Sequence, residues 1–349
     1  MSIIVISFDG VGDKEFEELA EDSKKYPNIA KFKKQSFYVS GLKSSFVTNT
    51  QPAHTTISTG KLPNEHGIIS NHRSAASTGW SRRAKYIETE TIWDYAHRKG
   101  MTTAAILWPV TCGAEIRWNM PGMCIGSPFF QPKSILKYGW KLLGAVTGTT
   151  QPYLDDFATS VSCDLLRTKN PDLTLIHLIA YDAFRHKVGG ESEKLDIARK
   201  SLDKNLGQIL DVAGARTVLI CSDHSHLDVD RTINLSKFFA AELYEQCGGS
   251  AFFRKAIKDI ESHPWFGRFL TQEEMEESGY KNLTYYGIAA KKGFSFRSSS
   301  YMSDHGYPTD YEDFAVFYAV RGGNFEPGGS KSSAKDIRDV TAIILKELG

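Results

Sequence analysis

The run Ile3-Ile4-Val5-Ile6-Ser7-Phe8, closed by Asp9-Gly10, decides how the chain is read. A run of this length, apolar but for Ser7 and rich in β-branched residues, suits a strand covered on both faces. Four further short runs have the same character: Thr102–Leu107, Leu173–Ala180, Thr217–Cys221 and Phe314–Val320. Between them Thr91–Arg98, Glu193–Leu210 and Ala334–Leu348 carry apolar residues at helical spacing. Strands alternating with amphipathic helices predict an α/β fold with a largely parallel central sheet flanked by helices. Such sheets bind ligands beyond the carboxyl ends of their strands. The polar residues that follow each run are therefore the ones to weigh.

Those positions hold metal-binding residue types. Asp9 follows the first run, Asp182 and His186 follow the third, and Asp223-His224 follow the fourth; Asp304-His305 precede the last. Carboxylate and imidazole are ligands that zinc accepts where thiolates are absent. Each fragment alone reads better as a helix cap, a turn or a surface pair. Their recurrence at strand ends of one chain favours a common site.

A further element is Thr48-Asn49-Thr50-Gln51-Pro52-Ala53-His54, running on to Gly60. Pro52 suits the first turn of a helix and Gly60 its end, which puts Thr50 at or beside the N-cap. A threonine there caps the helix; the same backbone N–H groups and dipole also attract a phosphate and favour an alkoxide. The Gly-rich stretch Gly322–Gly329 lacks the Lys-Ser/Thr ending of a phosphate loop and reads as a surface turn.

Composition narrows the class. The 349 residues balance 42 basic against 41 acidic side chains, a formal charge of +1, so no broad field favours a nucleic-acid polymer or a membrane surface. Oligomeric state is not legible. Residues 1–349 read as one domain, with an aromatic and charged segment at 238–293 as an insert or cap. The five cysteines form no C-x-x-C pair, and the first strand begins without a basic leader, which gives the expectation of a cytoplasmic protein.

Taken together, Ser7-Phe8-Asp9-Gly10, Thr50-Gln51-Pro52-Ala53-His54, Pro63-Asn64-Glu65-His66-Gly67 through Asn71, Trp108-Pro109, Asp182…His186, Ser222-Asp223-His224 and His305-Gly306-Tyr307 resemble a known family. It is the nucleotide pyrophosphatase/phosphodiesterase branch of the alkaline phosphatase superfamily, and the likeness spans most of the chain. The resemblance implies an alkaline phosphatase-like core and two Zn²⁺ ions, with Mn²⁺ or Co²⁺ as alternatives. Asp182, His186 and His305 would hold one ion; Asp9, Thr50, Asp223 and His224 would hold the other. It further implies Thr50 as covalent nucleophile and Asn71 as a donor to a phosphate oxygen. The implied substrate is a small phosphate diester or pyrophosphate, cleaved through a phosphothreonine.

The chain departs from the family's pattern in places. Gln51 stands where an aromatic residue often stacks on a nucleobase. His226 occupies a position usually near glycine and reads as an outer residue or a decoy. Arg185 reads as a surface residue, with Arg185 or Arg73 the cations a phosphomonoesterase would need. His54, His66, His97 and His177 read as structural, and Phe129, Phe130, Tyr138 and Trp140 as packing or a pocket wall. A phosphonate hydrolase on the same residues, and a metal-binding protein without turnover, are the remaining alternatives.

Overall fold

The computed structural model describes residues 2–72, 80–122, 150–311, 314–330 and 336–349. Arg73, Cys124, Phe129, Phe130, Tyr138 and Trp140 lie outside them.

The apolar runs form the centre of a seven-stranded sheet. Its strands are β1 (Ile3–Phe8), β2 (Phe37–Leu42), β3 (Thr103–Ile106), β4 (Trp118–Met120), β5 (Leu173–Leu178), β6 (Thr217–Cys221) and a last strand, Val316–Arg321, in the order β2, last, β6, β1, β5, β3, β4. All run parallel except the last strand, which lies antiparallel between β2 and β6. Strand β2 was not among the sequence expectations. Its run Phe37–Leu42 includes Ser40 and Gly41 and is partly exposed, as suits an edge.

Side chains alternate between two cores. Ile3 and Val5 face Ala53, Ile57, Trp93, Val340 and Ile344. Ile4, Ile6 and Phe8 face Phe16, Ile29, Leu202, Leu206 and Ile209. These come from helices on opposite faces: Thr50–Thr59, Ile92–Arg98 and Arg338–Leu348 on one, Asp13–Glu21, Pro27–Lys34 and Leu195–Ala213 on the other. A buried Ile, Leu or Phe side chain contributes about 1.5–3 kcal/mol, so a strand with both faces covered is fixed in register on both sides.

That register places the site. Ser7 pairs with His177 of β5 and Cys221 of β6, so Asp9, the Ile179–Asp182 segment and Asp223 emerge side by side. Beyond β6, strand β7 (Leu227–Ile233) pairs antiparallel with Ser303-Asp304, which carries His305 back over His224. Within 238–293, strands Tyr244–Gln246, Ser250–Phe253, Phe266–Phe269 and Tyr286–Ala290 form a separate four-stranded antiparallel sheet. Its Phe252 and Tyr280 rings stack 3.8 Å apart and pack in one cluster with Phe46 and Val47, just ahead of Thr50. Among the described residues no helix is long and apolar enough to cross a membrane.

Candidate active site

The helix Thr50–Thr59 starts where the Pro52 and Gly60 signals put it: Asn49 is the N-cap and Gly60 the left-handed C-cap, with φ 69°. Thr50 is thus the first helical residue. The Asn49 side chain does not cap the helix; its Oδ1 accepts from Nδ1 of His305 at 2.8 Å. Thr50 Oγ1 lies 3.4 Å from Nε2 of His224. The Gln51 backbone N–H donates to Asn71 Oδ1 at 2.8 Å, and since an N–H needs an acceptor, this fixes the amide orientation and frees Nδ2 as a donor.

All the acidic and imidazole candidates converge. Nε2 of His224 is 3.4 Å from Asp9 Oδ1 and 3.2 Å from Asp223 Oδ2. Nε2 of His186 is 3.3 Å from Asp182 Oδ1, and that of His305 is 3.9 Å from the same oxygen. Asp182 and His186 share one face of the helix Ala180–Val188 because they are four residues apart. The His224 and His305 rings stack with centroids 4.0 Å apart. Nδ1 of His186 faces the Ser303 carbonyl at 2.8 Å and Nδ1 of His305 the Thr48 carbonyl at 3.1 Å. A carbonyl requires the proton on Nδ1, which leaves both Nε2 lone pairs facing the cluster.

The cluster is short of positive charge. Burial, then Asp223 and Asp182, push the Asp9 carboxyl well above the usual carboxylate range. Burial raises Asp223 and Asp182 too, but the imidazoles of His224 and His54, and of His186 and His226, outweigh it and hold both low. Burial pushes His305 well below its ordinary value, which keeps its ring neutral. Asp9 Oδ1 and Asp223 Oδ2 are buried and accept no hydrogen bond. Desolvated oxygens of this kind are costly unless a cation meets them. The trios Asp9–Asp223–His224 and Asp182–His224–His305 each gather ligand atoms within 4.8 Å. The donor set therefore fits hard or borderline divalent cations.

Some residues sit elsewhere than the sequence reading put them. His226 is inside the cluster, with Nε2 2.8 Å from Asp182 Oδ1 and Nδ1 3.2 Å from the Ser303 hydroxyl. Gly10 makes room for it: φ is +73°, and a Cβ there would meet His226 Nε2 at 2.7 Å. Arg185 is not a solvated residue; it is paired with Asp228 at 2.6 Å. Asp304 faces away from the His305 ring, whose Nδ1 is met by Thr48 and Asn49. Its carboxylate takes Arg297 at two points and the His305 backbone N–H. His54 and His177 are structural in a specific sense: His54 bonds Ser7 Oγ and the Thr50 carbonyl, and His177 bonds Asp9. The one available signal for His54 was its place four residues after Thr50 on the same helix face.

The family model for type I phosphodiesterase / nucleotide pyrophosphatase matches residues 3–295. The chain belongs to that family. It is accordingly an enzyme of a metal-dependent hydrolase class, in the nucleotide pyrophosphatase/phosphodiesterase branch of the alkaline phosphatase superfamily. Bis(5'-adenosyl)-triphosphatase of Xenopus laevis is 22% identical over 353 residues, 93% of this chain and 72% of that protein. The Bos taurus enzyme of the same name is 24% identical, across 99% of this chain and 78% of its own. Venom phosphodiesterase 2 of Crotalus adamanteus is 25% identical over 61% of this chain, 26% of its own length. Human ectonucleotide pyrophosphatase/phosphodiesterase 5 superposes with TM-score 0.73 at 20% identity, over 100% of this chain and 95% of that one. An inactive variant of the murine protein, in complex with AMP, does so with TM-score 0.72 at 18% identity, over the same shares.

The expectation of a cytoplasmic protein does not stand. A venom enzyme and ectonucleotide enzymes are by name proteins that work outside the cytoplasm. Cys112, Cys163, Cys221 and Cys247 are buried thiols in the core, a packing role that carries no information on compartment.

Proposed function

We propose that this member of the family hydrolyses nucleotide phosphodiesters or pyrophosphates through a phosphothreonine on Thr50. The observation that carries the reading is that Thr50 Oγ1 lies 3.4 Å from His224 Nε2, itself 3.4 and 3.2 Å from the orphaned oxygens of Asp9 and Asp223, while Asn71 is held by the Gln51 N–H next to Thr50. Asp182, His186 and His305 would hold one divalent cation and Asp9, Thr50, Asp223 and His224 a second, zinc being the first choice and Mn²⁺ or Co²⁺ its competitors. Bound there, the cations supply Lewis-acid charge that lowers the hydroxyl pKa and offsets charge on the departing oxygen.

The residues then divide the work. Thr50 Oγ forms a bond to phosphorus as the bond to the leaving oxygen breaks, and that oxygen departs with the electron pair and ends with the threonine proton. Water next bonds to phosphorus, the Thr50 ester breaks, and the hydroxyl is restored. Asn71 Nδ2 donates to a non-bridging oxygen, a preorganised contact of a kind whose loss costs about 3 kcal/mol. The helix N-terminus at Thr50 favours the same anionic group. Gln51, Trp80, Leu107, Pro109 and Gly122 line the cleft beside Thr50 and would hold the group that stays on phosphorus. The AMP held by the murine neighbour suggests a nucleoside monophosphate. Residues 238–293 would act as an insert that buttresses the approach to Thr50.

The reading favours diesters over monoesters because the neutral Asn71 amide suits a singly charged phosphodiester, and Arg185, one of the two cations a monoesterase could use, is paired with Asp228. The test is hydrolysis of para-nitrophenyl thymidine 5'-monophosphate, bis(para-nitrophenyl) phosphate and para-nitrophenyl phosphate by the zinc-loaded protein and its Thr50→Ala variant. The expected result is diesters ahead of the monoester, with activity lost in Thr50→Ala. Full activity in Thr50→Ala would overturn the mechanism.

A further inference from the structure

Gln51, the residue after the proposed nucleophile, has a buried side chain that bonds to nothing. Its main chain is fixed on both sides: the N–H donates to Asn71 Oδ1 and the carbonyl accepts from Thr55 Oγ1, both at 2.8 Å. The residue is only 1% exposed, yet Oε1 has no hydrogen-bond partner, and Nε2 makes no hydrogen bond among the described residues. Turning the amide over changes nothing, since neither end is engaged. A carboxamide taken out of water without a partner costs the fold free energy, so its presence here calls for a reason.

The surroundings supply one. Gln51 lines the Thr50 cleft together with Trp80, Leu107 and Pro109. Asp9 and Asp182 line it too, but both belong to the cluster that would hold cations. What remains for the rest of a ligand is three apolar walls, one of them a flat ring, and a single neutral polar group. Apolar walls hold a ligand by its faces, and the isolated polar group selects it. A carboxamide carries an acceptor and a donor side by side in one plane. Its complement is a flat edge on which an N–H stands beside an acceptor atom, the pattern that lets glutamine pair with a nucleobase at two points.

We propose that Gln51 is a specificity residue for the group retained on phosphorus, and that its carboxamide pairs with the edge of a nucleobase where an N–H lies beside an acceptor. Selection is then by hydrogen bonding along the edge of the ring, with the apolar walls against its faces. Bases whose N–H is blocked would be disfavoured. The inference rests on the function proposed for Thr50.

Two esters that differ in that one proton separate this role from the shape of the cleft: para-nitrophenyl thymidine 5'-monophosphate and its N3-methyl analogue. Their kcat/KM ratio is read in the wild type and in Gln51→Met, which keeps the length of the side chain and removes both polar atoms. The wild type is expected to favour the unmethylated ester about tenfold or more, and Gln51→Met to bring the ratio within about twofold. Because the amide bonds nothing in the free protein, the variant is also expected to melt no lower than the wild type. A wild type that takes both esters equally, or a variant that keeps the wild-type preference, would overturn the proposal. So would a marked fall in the melting temperature, which would give the amide a structural role. If the wild type cleaves neither ester, the function proposed for Thr50 is wrong, and calorimetric titration with thymidine 5'-monophosphate and its N3-methyl analogue decides Gln51 alone. A preference for the unmethylated nucleotide in the wild type that is lost in Gln51→Met then supports the proposal, and any other result overturns it.

Discussion

Nε2 of His177 lies 2.9 Å from Oδ2 of Asp9, and Nδ1 of the same ring faces the Leu107 carbonyl at 3.1 Å. The imidazole lies within the sheet, since His177 sits on β5 level with Ser7 of β1. Burial keeps it neutral, so its single proton serves the Leu107 carbonyl when Asp9 is protonated and Asp9 when that carboxylate is ionised. It therefore sets the rotation of the Asp9 carboxylate and leaves Oδ1 bare toward His224. Partners that orient a metal-binding carboxylate in this way typically govern affinity by about ten- to a hundredfold. His177→Asn is expected to bind zinc about tenfold or more weakly in a chelator competition, with activity recovered at high zinc. A variant with unchanged zinc affinity but low activity would refute this role.

How much of this was legible beforehand differs between the fold and the site. The runs Ile3–Phe8 and Thr217–Cys221 were readable to the residue because both faces are buried, so apart from Ser7, bonded to His54, and the leading Thr217 they are wholly apolar. Thr50 was readable because Pro52 and Gly60 mark the ends of its helix chemically. His226 was not, because its inclusion depends on the left-handed Gly10 vacating space from another strand. Arg297 was not, because the cavity it lines joins it to Ser70, His72 and Tyr244 from segments far apart in the chain, and no local spacing reports that.

Asp155 shows how a residue distant from the chemistry holds the site in place. Its Oδ2 accepts from the backbone N–H groups of Ile179 and Ala180 at 2.9 and 2.8 Å, which anchors the start of the helix that bears Asp182 and His186. Burial pushes its pKa up to about 6, from 3.8. Because the folded-state value is raised, stability from this group is full below the unfolded pKa and is lost as pH rises through about 6. Asp155→Ala should destabilise the protein by about 1–3 kcal/mol at neutral pH by leaving two buried N–H groups unmet. Asp155→Asn should not. Its single carbonyl oxygen can take both N–H groups, and Gln151, whose Nε2 donates to Asp155 Oδ1 at 2.8 Å, can meet the new NH₂ with Oε1 by turning its amide over. Denaturant melts at pH 5 and 8 check both: the wild type should lose stability between them, and the Asn variant should lose less.

Trp80 offers the aromatic surface that Gln51 cannot. It lines the same cleft as Gln51, and its ring centroid is 5.0 Å from that of His72. Stacking of a base on an aromatic ring contributes about 1–3 kcal/mol. Trp80→Ala is expected to raise KM for para-nitrophenyl thymidine 5'-monophosphate about tenfold while leaving KM for bis(para-nitrophenyl) phosphate nearer its original value. Equal rises for both substrates would show that Trp80 shapes the cleft and does not read a base.

Metal removal should act on stability as well as rate. Asp9 and Asp223 meet in the interior with one oxygen each unbonded, and each raises the cost of ionising the other. A cation that binds only the folded state stabilises it by about 2.7 kcal/mol at a hundredfold excess over its Kd. Zinc should therefore raise the unfolding midpoint of the chelator-stripped protein. Asp9→Asn removes one of the two opposed charges along with a ligand. Stripped of metal, it should melt no lower than the stripped wild type, and on addition of zinc it should gain less. Calorimetric melts of both proteins with and without zinc give the answer. If zinc moves neither midpoint, the cluster does not hold the cation; if it moves both equally, Asp9 is not among its ligands.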